Sequence, residues 1–171
     1  MKKVYLRKGK EDSLLRFHPW VFSGAIAKVD EGIEEGDLVK VISSSGRFVA
    51  IGHFQIGSIA VRVLSFEDRD INRLFWEERI SAAYEVRKSL HLLREDNNTF
   101  RLIHGEGDLL PGLIIDIYGD SAVIQAHSVG MHYVRQTIAE ILIETVDGLK
   151  NVYYKSETTL PFKAELNDAK E

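Results

Sequence analysis

The sequence predicts an α+β fold in two parts, an all-β unit over residues 1–69 and a small α+β unit over residues 70–171. Three observations carry this. Runs of five to seven residues rich in β-branched side chains recur before residue 65, separated by turns rich in Gly and Ser. Near Asp70 the spacing of apolar residues lengthens to three or four, the period of a helix. Beyond that helix, strands return on both sides of a second helical stretch, the order of an α+β layer with antiparallel pairing.

In chain order, residues 4–7 and 25–30 are the first candidate strands. Glu34-Glu35-Gly36-Asp37 makes a turn into the strand 38–42, and Ser43-Ser44-Ser45-Gly46 makes a second turn. The runs 48–54 and 59–64 follow, joined through Gln55-Ile56-Gly57-Ser58. Short strands at this spacing give a small barrel or sandwich. Ile71, Phe75, Ala82, Val86, Leu90 and Leu93 then mark one face of a long helix over 70–94, with Asp70 as its N-cap and Asn97-Asn98 as its stop. Strands are expected at 100–103, 113–118 and 122–126, the last two forming a hairpin through Gly119-Asp120. A second helix is expected over 130–146, with Val134, Ile138, Ile141, Leu142 and Thr145 on one face and Asp147-Gly148 as its stop. Residues 152–154 form a last strand, and the tail 165–171 is polar.

Composition narrows the function. Hydrophobic residues at 44% and charged residues at 28% are ordinary for a globular chain that buries a core. No apolar run reaches the ~20 residues of a membrane span, and no long apolar stretch follows the charged N-terminus as in a signal peptide. The absence of cysteine excludes disulfides and cysteine-based metal sites and fits a cytoplasmic protein. A net charge of −4 argues against strong nonspecific binding to nucleic acid. The charge is uneven, however. Residues 1–24 carry six Lys/Arg against two acids, a net of +4, and residues from 70 onward carry 11 basic against 17 acidic side chains. A basic leading segment on an acidic body suits local contact with phosphate.

The most informative segment is Leu14-Leu15-Arg16-Phe17-His18-Pro19-Trp20-Val21-Phe22-Ser23-Gly24, where helix and strand periodicity both fail. Such a polar-aromatic stretch forms a specific loop or a binding surface. Together with Ser13, Ala25 and Ile26 it resembles the start of bacterial enzymes that methylate carbon 5 of cytosine in large-subunit ribosomal RNA. Phe100-Arg101-Leu102-Ile103-His104-Gly105-Glu106-Gly107-Asp108-Leu109-Leu110-Pro111-Gly112, continuing through Asp116-Ile117-Tyr118-Gly119-Asp120, is similar to a second pattern of that family. One departure is Ile117, where many members carry arginine.

The resemblance implies a PUA-like RNA-binding β pseudo-barrel over 1–69 and an α+β middle domain over 70–171. It also implies a methyltransferase domain of Rossmann type that comes last and is absent from this chain. That absence has its own sequence signs. The reaction needs a cysteine nucleophile, and there is none. It needs a strand, a Gly-rich turn and a helix to hold S-adenosylmethionine, and Gly105-x-Gly107 leads instead to Pro111-Gly112 and another strand. The expectation is therefore an inactive N-terminal fragment of such an enzyme, with no catalytic residue, no cofactor and no metal of its own. S-Adenosylmethionine belongs to the missing domain. Ribosomal RNA is the expected partner, with no membrane association and with a homodimer left open.

The expected RNA contacts are Arg7, Lys8, Lys10, Arg16, His18, Ser23, Gly24 and Arg62. Arginine holds phosphate, and a tryptophan such as Trp20 can stack on a base. Trp20 and Phe22 are nonetheless expected mostly in the core, with Arg16 and His18 accessible. Arg62 lies between Val61 and Val63 in an apolar strand and should point away from both. Two rival functions remain. One is a free-standing PUA-type RNA-binding or adaptor protein. The other is a divalent-metal hydrolase built on His104, Glu106, Asp108, Asp116 and Asp120, although Gly105 and Gly107 interrupt that strand. In the bland alternative those acids form turns, fix the hairpin or pair with Arg101. His53, His127 and His132 read as structural or surface residues.

Overall fold

Alternation along short strands decides what the first unit buries. Val4 and Leu6, Val39 and Val41, and Val61 and Val63 are each at most 4% exposed. They share a core with Leu14, Val21, Val49 and Ala50. The computed structural model describes residues 1–94, 96–156 and 158–160, and the tail 165–171 lies outside the described residues. The described chain is α+β and divides into two compact units, residues 1–69 and residues from 70 onward.

The first unit contains β1 (Lys2–Leu6), β2 (Trp20–Phe22), β3 (Ile26–Val29), β4 (Leu38–Ile42), β5 (Phe48–Phe54) and β6 (Ile59–Ser65). They form one curled, half-barrel sheet in the order β2-β6-β5-β4-β1-β3. Pairing is antiparallel except between β1 and β4, which run parallel. Strand β2 is a correction to the sequence reading. The segment 14–24 is not one irregular loop. It is a 3₁₀ turn at Leu14–Arg16, the strand β2 and a second 3₁₀ turn at Ser23–Ala25. Three residues are too few to show a period of two, and β2 exists because the edge of β6 pairs with it.

The second unit contains α1 (Arg73–Ser89), β7 (Thr99–His104), β8 (Leu113–Tyr118), β9 (Ser121–Ala126), α2 (Val129–Tyr133), α3 (Arg135–Thr145) and β10 (Asn151–Tyr154). Its sheet has the order β10-β9-β8-β7. Strands β7, β8 and β9 are antiparallel as expected, but β10 runs parallel to β9. The helical stretch between β9 and β10 acts as a crossover, and a crossover returns the chain in the same direction.

The helices also differ from the sequence reading. Helix α1 is shorter than 70–94, and its N-cap is Asn72, not Asp70; the Asn72 carboxamide oxygen accepts from the Phe75 N–H at 3.2 Å. The helix stops where His91 turns left-handed (φ 54°) and the Leu92 N–H returns to the Arg87 carbonyl at 3.2 Å. Its buried side chains are Phe75, Trp76, Ile80, Ala83 and Tyr84, while Val86 and Leu90 are 49% and 62% exposed. Both stripes contain Phe75, but the aromatic area at positions 76 and 84 outweighs the aliphatic area at 86 and 90. The expected helix over 130–146 is two helices broken at Val134. There the Arg135 guanidinium donates to the His132 carbonyl at 2.9 Å and ends the first of them. Ile138, Ile141 and Leu142 are buried as the spacing predicts. No helix among the described residues is long and apolar enough to cross a membrane.

Candidate nucleic-acid interface

The sheet of the first unit turns one face to the core and sets a row of different chemistry on the other. Val21, Val61 and Phe54 are register partners on the core face. One residue along, Trp20, Arg62, His53 and Leu38 are successive partners across β2, β6, β5 and β4. Arg62 thus points away from Val61 and Val63, as alternation requires. Its Nε donates to the Gln55 Oε1 at 2.8 Å, and its guanidinium lies 5.9 Å from the centre of the Trp20 ring.

Around Trp20 the short strand gathers three rings. His18 lies 5.7 Å from Trp20 and 6.0 Å from Phe22, and Trp20 lies 6.2 Å from Phe22 at an interplanar angle of 89°. The His18 Nδ1 accepts from the Trp20 N–H at 3.3 Å, which fixes the bend at Pro19. Trp20 is half-buried, and Phe22 is 47% exposed. The expectation of a core position is therefore corrected for Phe22, while Trp20 keeps most of its surface covered. Val21 between them takes the core position, and alternation sends both neighbours outward.

The other expected contacts occupy two turns. Arg16, exposed, ends the 3₁₀ turn before Phe17, which is left-handed (φ 62°) and packs edge-on against Phe66 at 5.2 Å. His18 is exposed as well. Ser23 and Gly24 are exposed at the far end of β2, where the Ser23 N–H donates to the Ser58 carbonyl at 2.9 Å. Arg7, Lys8 and Lys10 are exposed in the turn after β1, and Arg7 Nε is held by the Ile26 carbonyl at 3.0 Å. Of the eight expected contacts, the structure brings His18 and Arg62 into one cluster around Trp20. The sequence reading missed Phe22 and Gln55 as members of it. Phe22 gave no outward signal, because a phenylalanine in a three-residue strand reads as core.

His53 carries a consequence for stability. It is 3% exposed, and burial pushes its imidazole down from 6.5 to about 4. The folded state therefore holds His53 neutral where the unfolded chain would bind a proton. This contribution is complete above the unfolded value and is lost as pH falls from 6.5 toward 4, up to about 3 kcal/mol. Denaturant midpoints measured across that window should fall with acid, and His53→Gln should remove most of the slope.

Of the residues on which the rival metal-hydrolase reading rested, Asp108, Asp116 and Asp120 are engaged in ion pairs. Asp108 is clamped by Arg87 at 2.5 and 2.8 Å and accepts from the His104 N–H at 2.6 Å. Asp116 is paired with Arg101 at 2.8 and 3.0 Å. The partner of Asp108 is thus Arg87 on α1, not Arg101. Gly105–Asp108 is one 3₁₀ turn followed by left-handed Leu109. Among the described residues, no group of three or more His, Cys, Asp or Glu is placed to hold a metal. Among the described residues, no α-helix follows a strand through a Gly-rich turn. Residues 66–72, between β6 and α1, contain no glycine, and only His127-Ser128 separates β9 from α2.

Residues 4–66 match the sequence model of the PUA-like domain. The first unit is a PUA-like domain. Across nearly the whole chain, the PUA-like domain and the α+β unit after it are homologous to part of proteins called ribosomal RNA large subunit methyltransferase I. The protein of that name from Vibrio vulnificus strain CMCP6 is 37% identical over 166 residues, 96% of this chain and 41% of that protein. The Erwinia tasmaniensis protein is 39% identical over 142 residues, 82% of this chain and 36% of that protein. This chain thus spans less than half the length of the curated relatives it matches. A Streptococcus mutans protein assigned as a SAM-dependent methyltransferase shares the fold, with a TM-score of 0.79 at 17% identity over 91% of this chain and 41% of its own.

Proposed function

We propose that this chain is the RNA-recognition portion of an S-adenosylmethionine-dependent enzyme that methylates carbon 5 of cytosine in large-subunit ribosomal RNA. The observation that carries the reading is the 37% identity to a ribosomal RNA methyltransferase across 96% of this chain. The PUA-like domain supports it, as do the exposed cations Arg7, Lys8, Lys10 and Arg16 of the first unit. Catalysis belongs to a domain outside this chain. Attack on carbon 6 of cytosine needs a thiolate, and the chain contains no cysteine. Its part is to hold RNA, with Arg7, Lys8, Lys10, Arg16 and Arg62 on phosphate and His18, Ser23 and Gly24 lining the contact.

Two measurements test this. Calorimetry should show no binding of S-adenosylmethionine to this chain, and measurable binding would place the cofactor site here and end the fragment reading. RNA binding should be weak and salt-dependent, because few cations are available on a chain of net charge −4. For three or four phosphates at ~0.7 each, log K should fall against log salt with a slope of about −2 to −3. Arg16→Ala should flatten that slope by somewhat less than one unit and leave the fold intact, since an exposed arginine at a turn carries little folding energy. If Arg16→Ala and charge removal at Lys8 and Lys10 leave the slope unchanged, the phosphates lie elsewhere.

A further inference from the structure

The ring cluster on β2 has a property that charge alone does not explain. Phosphate binding needs cations, yet the outward face of β2 presents aromatic carbon. Strand β2 is the last strand of its sheet, and residues 20 and 22 stand on its outer face while Val21 is 2% exposed. A single exposed apolar residue is ordinary. The Trp20 and Phe22 rings on this edge strand and the His18 ring just before it lie within 6.2 Å of one another and make one aromatic patch. The rings are also held in place. The His18 ring accepts from the Trp20 N–H, and Gln55 fixes the guanidinium that lies over the Trp20 indole. Arg62 thereby occupies the approach to Trp20 and leaves the Phe22 ring, with His18 beside it, as the open aromatic surface.

We propose that His18, Trp20 and Phe22, with Arg62, form a stacking site for one unpaired base, so that the chain selects single-stranded over duplex RNA. This rests on the RNA-binding reading given above and adds the structural class of RNA to it. The reason is geometric. In an A-form duplex each base is already stacked and its faces are closed, whereas an unpaired base can splay out onto an aromatic side chain. The surroundings select the partner. Arg62 lies over the Trp20 ring and exposed Arg16 ends the turn two residues before His18, so an anionic partner is favoured at this edge. Arg62 supplies a cation next to the rings, where the phosphate of a stacked nucleotide would lie.

The test uses the whole chain and one short RNA of unstructured sequence, fluorescently labelled, alone or annealed to its complement. Binding is read by anisotropy at fixed salt, with Phe22→Ala, Phe22→Leu and Phe22→Tyr beside the wild type. One stacked base is worth ~1–3 kcal/mol, so the wild type should prefer the single strand by about tenfold. Phe22→Ala and Phe22→Leu should both lose that preference, and Phe22→Tyr should retain it. The leucine variant keeps the apolar bulk, so its loss would report the ring and not the fold. Equal affinity of the wild type for single strand and duplex would overturn the inference and leave RNA binding standing. So would single-strand affinity unchanged in Phe22→Ala, and the rings would then belong to a protein contact. Failure of the wild type to bind either RNA would overturn this inference together with the RNA-binding reading beneath it.

Discussion

Gly52→Ala should destabilise the PUA-like domain by about 3 kcal/mol, near the upper end of what overpacking costs. A Cβ at position 52 would lie 2.2 Å from the Arg62 carbonyl oxygen, 2.8 Å from its carbon and 2.9 Å from Val61 Cγ1. Two of these three obstacles are backbone, so no side-chain rotation relieves them. Strands β5 and β6 would have to part at the irregularity in their pairing between Ile51 and Gly52. The same movement would displace Arg62, so RNA affinity should fall even where the variant remains folded. For stability alone, Gly24→Ala and Gly107→Ala are the controls, because a Cβ at either position meets nothing within 4 Å. Fluorotryptophan labelling separates the two units, since Trp20 reports the first and Trp76 the second. A denaturant titration followed by fluorine resonance should show the Trp20 signal unfolding early while the Trp76 signal is unmoved. A loss below about 1 kcal/mol would mean that the strands part cheaply.

The second large effect is expected at Arg87 and Asp108. Their side chains are only 14% and 10% exposed, and two N–H groups of Arg87 meet the two oxygens of Asp108. Arg87 Nε also donates to the Arg101 carbonyl at 3.1 Å, and Asp108 also accepts from the His104 N–H. The pair therefore ties α1 to β7 and to the turn after it. Removing one partner leaves the other charge buried without compensation, which typically costs ~3–5 kcal/mol. Asp108→Ala should cost that much, read from the Trp76 resonance. The double variant Arg87→Met with Asp108→Leu should recover most of the loss, because neither charge then remains to be desolvated. If Asp108→Ala alone costs less than about 1 kcal/mol, water reaches the pair and the clamp is not a structural tie.

The sequence by itself determined a good deal. The β-branched-rich runs at 38–42, 48–54 and 59–64 mark β4, β5 and β6, because short runs of that composition bounded by Gly- and Ser-rich turns fit strands. Gly119-Asp120 marks the β8–β9 hairpin, and Gly119 is left-handed there (φ 61°) as the tight turn demands. Ile138, Ile141 and Leu142 mark the buried face of α3. The residues around Trp20 carry the likeness to ribosomal RNA methyltransferases in their order along the chain, which needs no tertiary contact to be legible.

Only tertiary structure decided the rest. The strand β2 has no local signature, because three residues become a strand when β6 offers them an edge. The buried face of α1 could not be settled by spacing, since two stripes share Phe75 and the surrounding packing chose the one with Trp76 and Tyr84. The parallel pairing of β10 follows from a helical crossover whose partner strand lies 30 residues earlier in the chain. The acids at 108 and 116 looked alike in sequence, and arginines brought together by the fold gave each its partner. The candidate site shows the same division. Sequence supplied its cations and aromatics, and the register of β2 on β6 set Trp20 against Arg62 and turned Phe22 outward. Local periodicity records which face of an element is apolar, whereas pairing between distant strands decides what stands beside what.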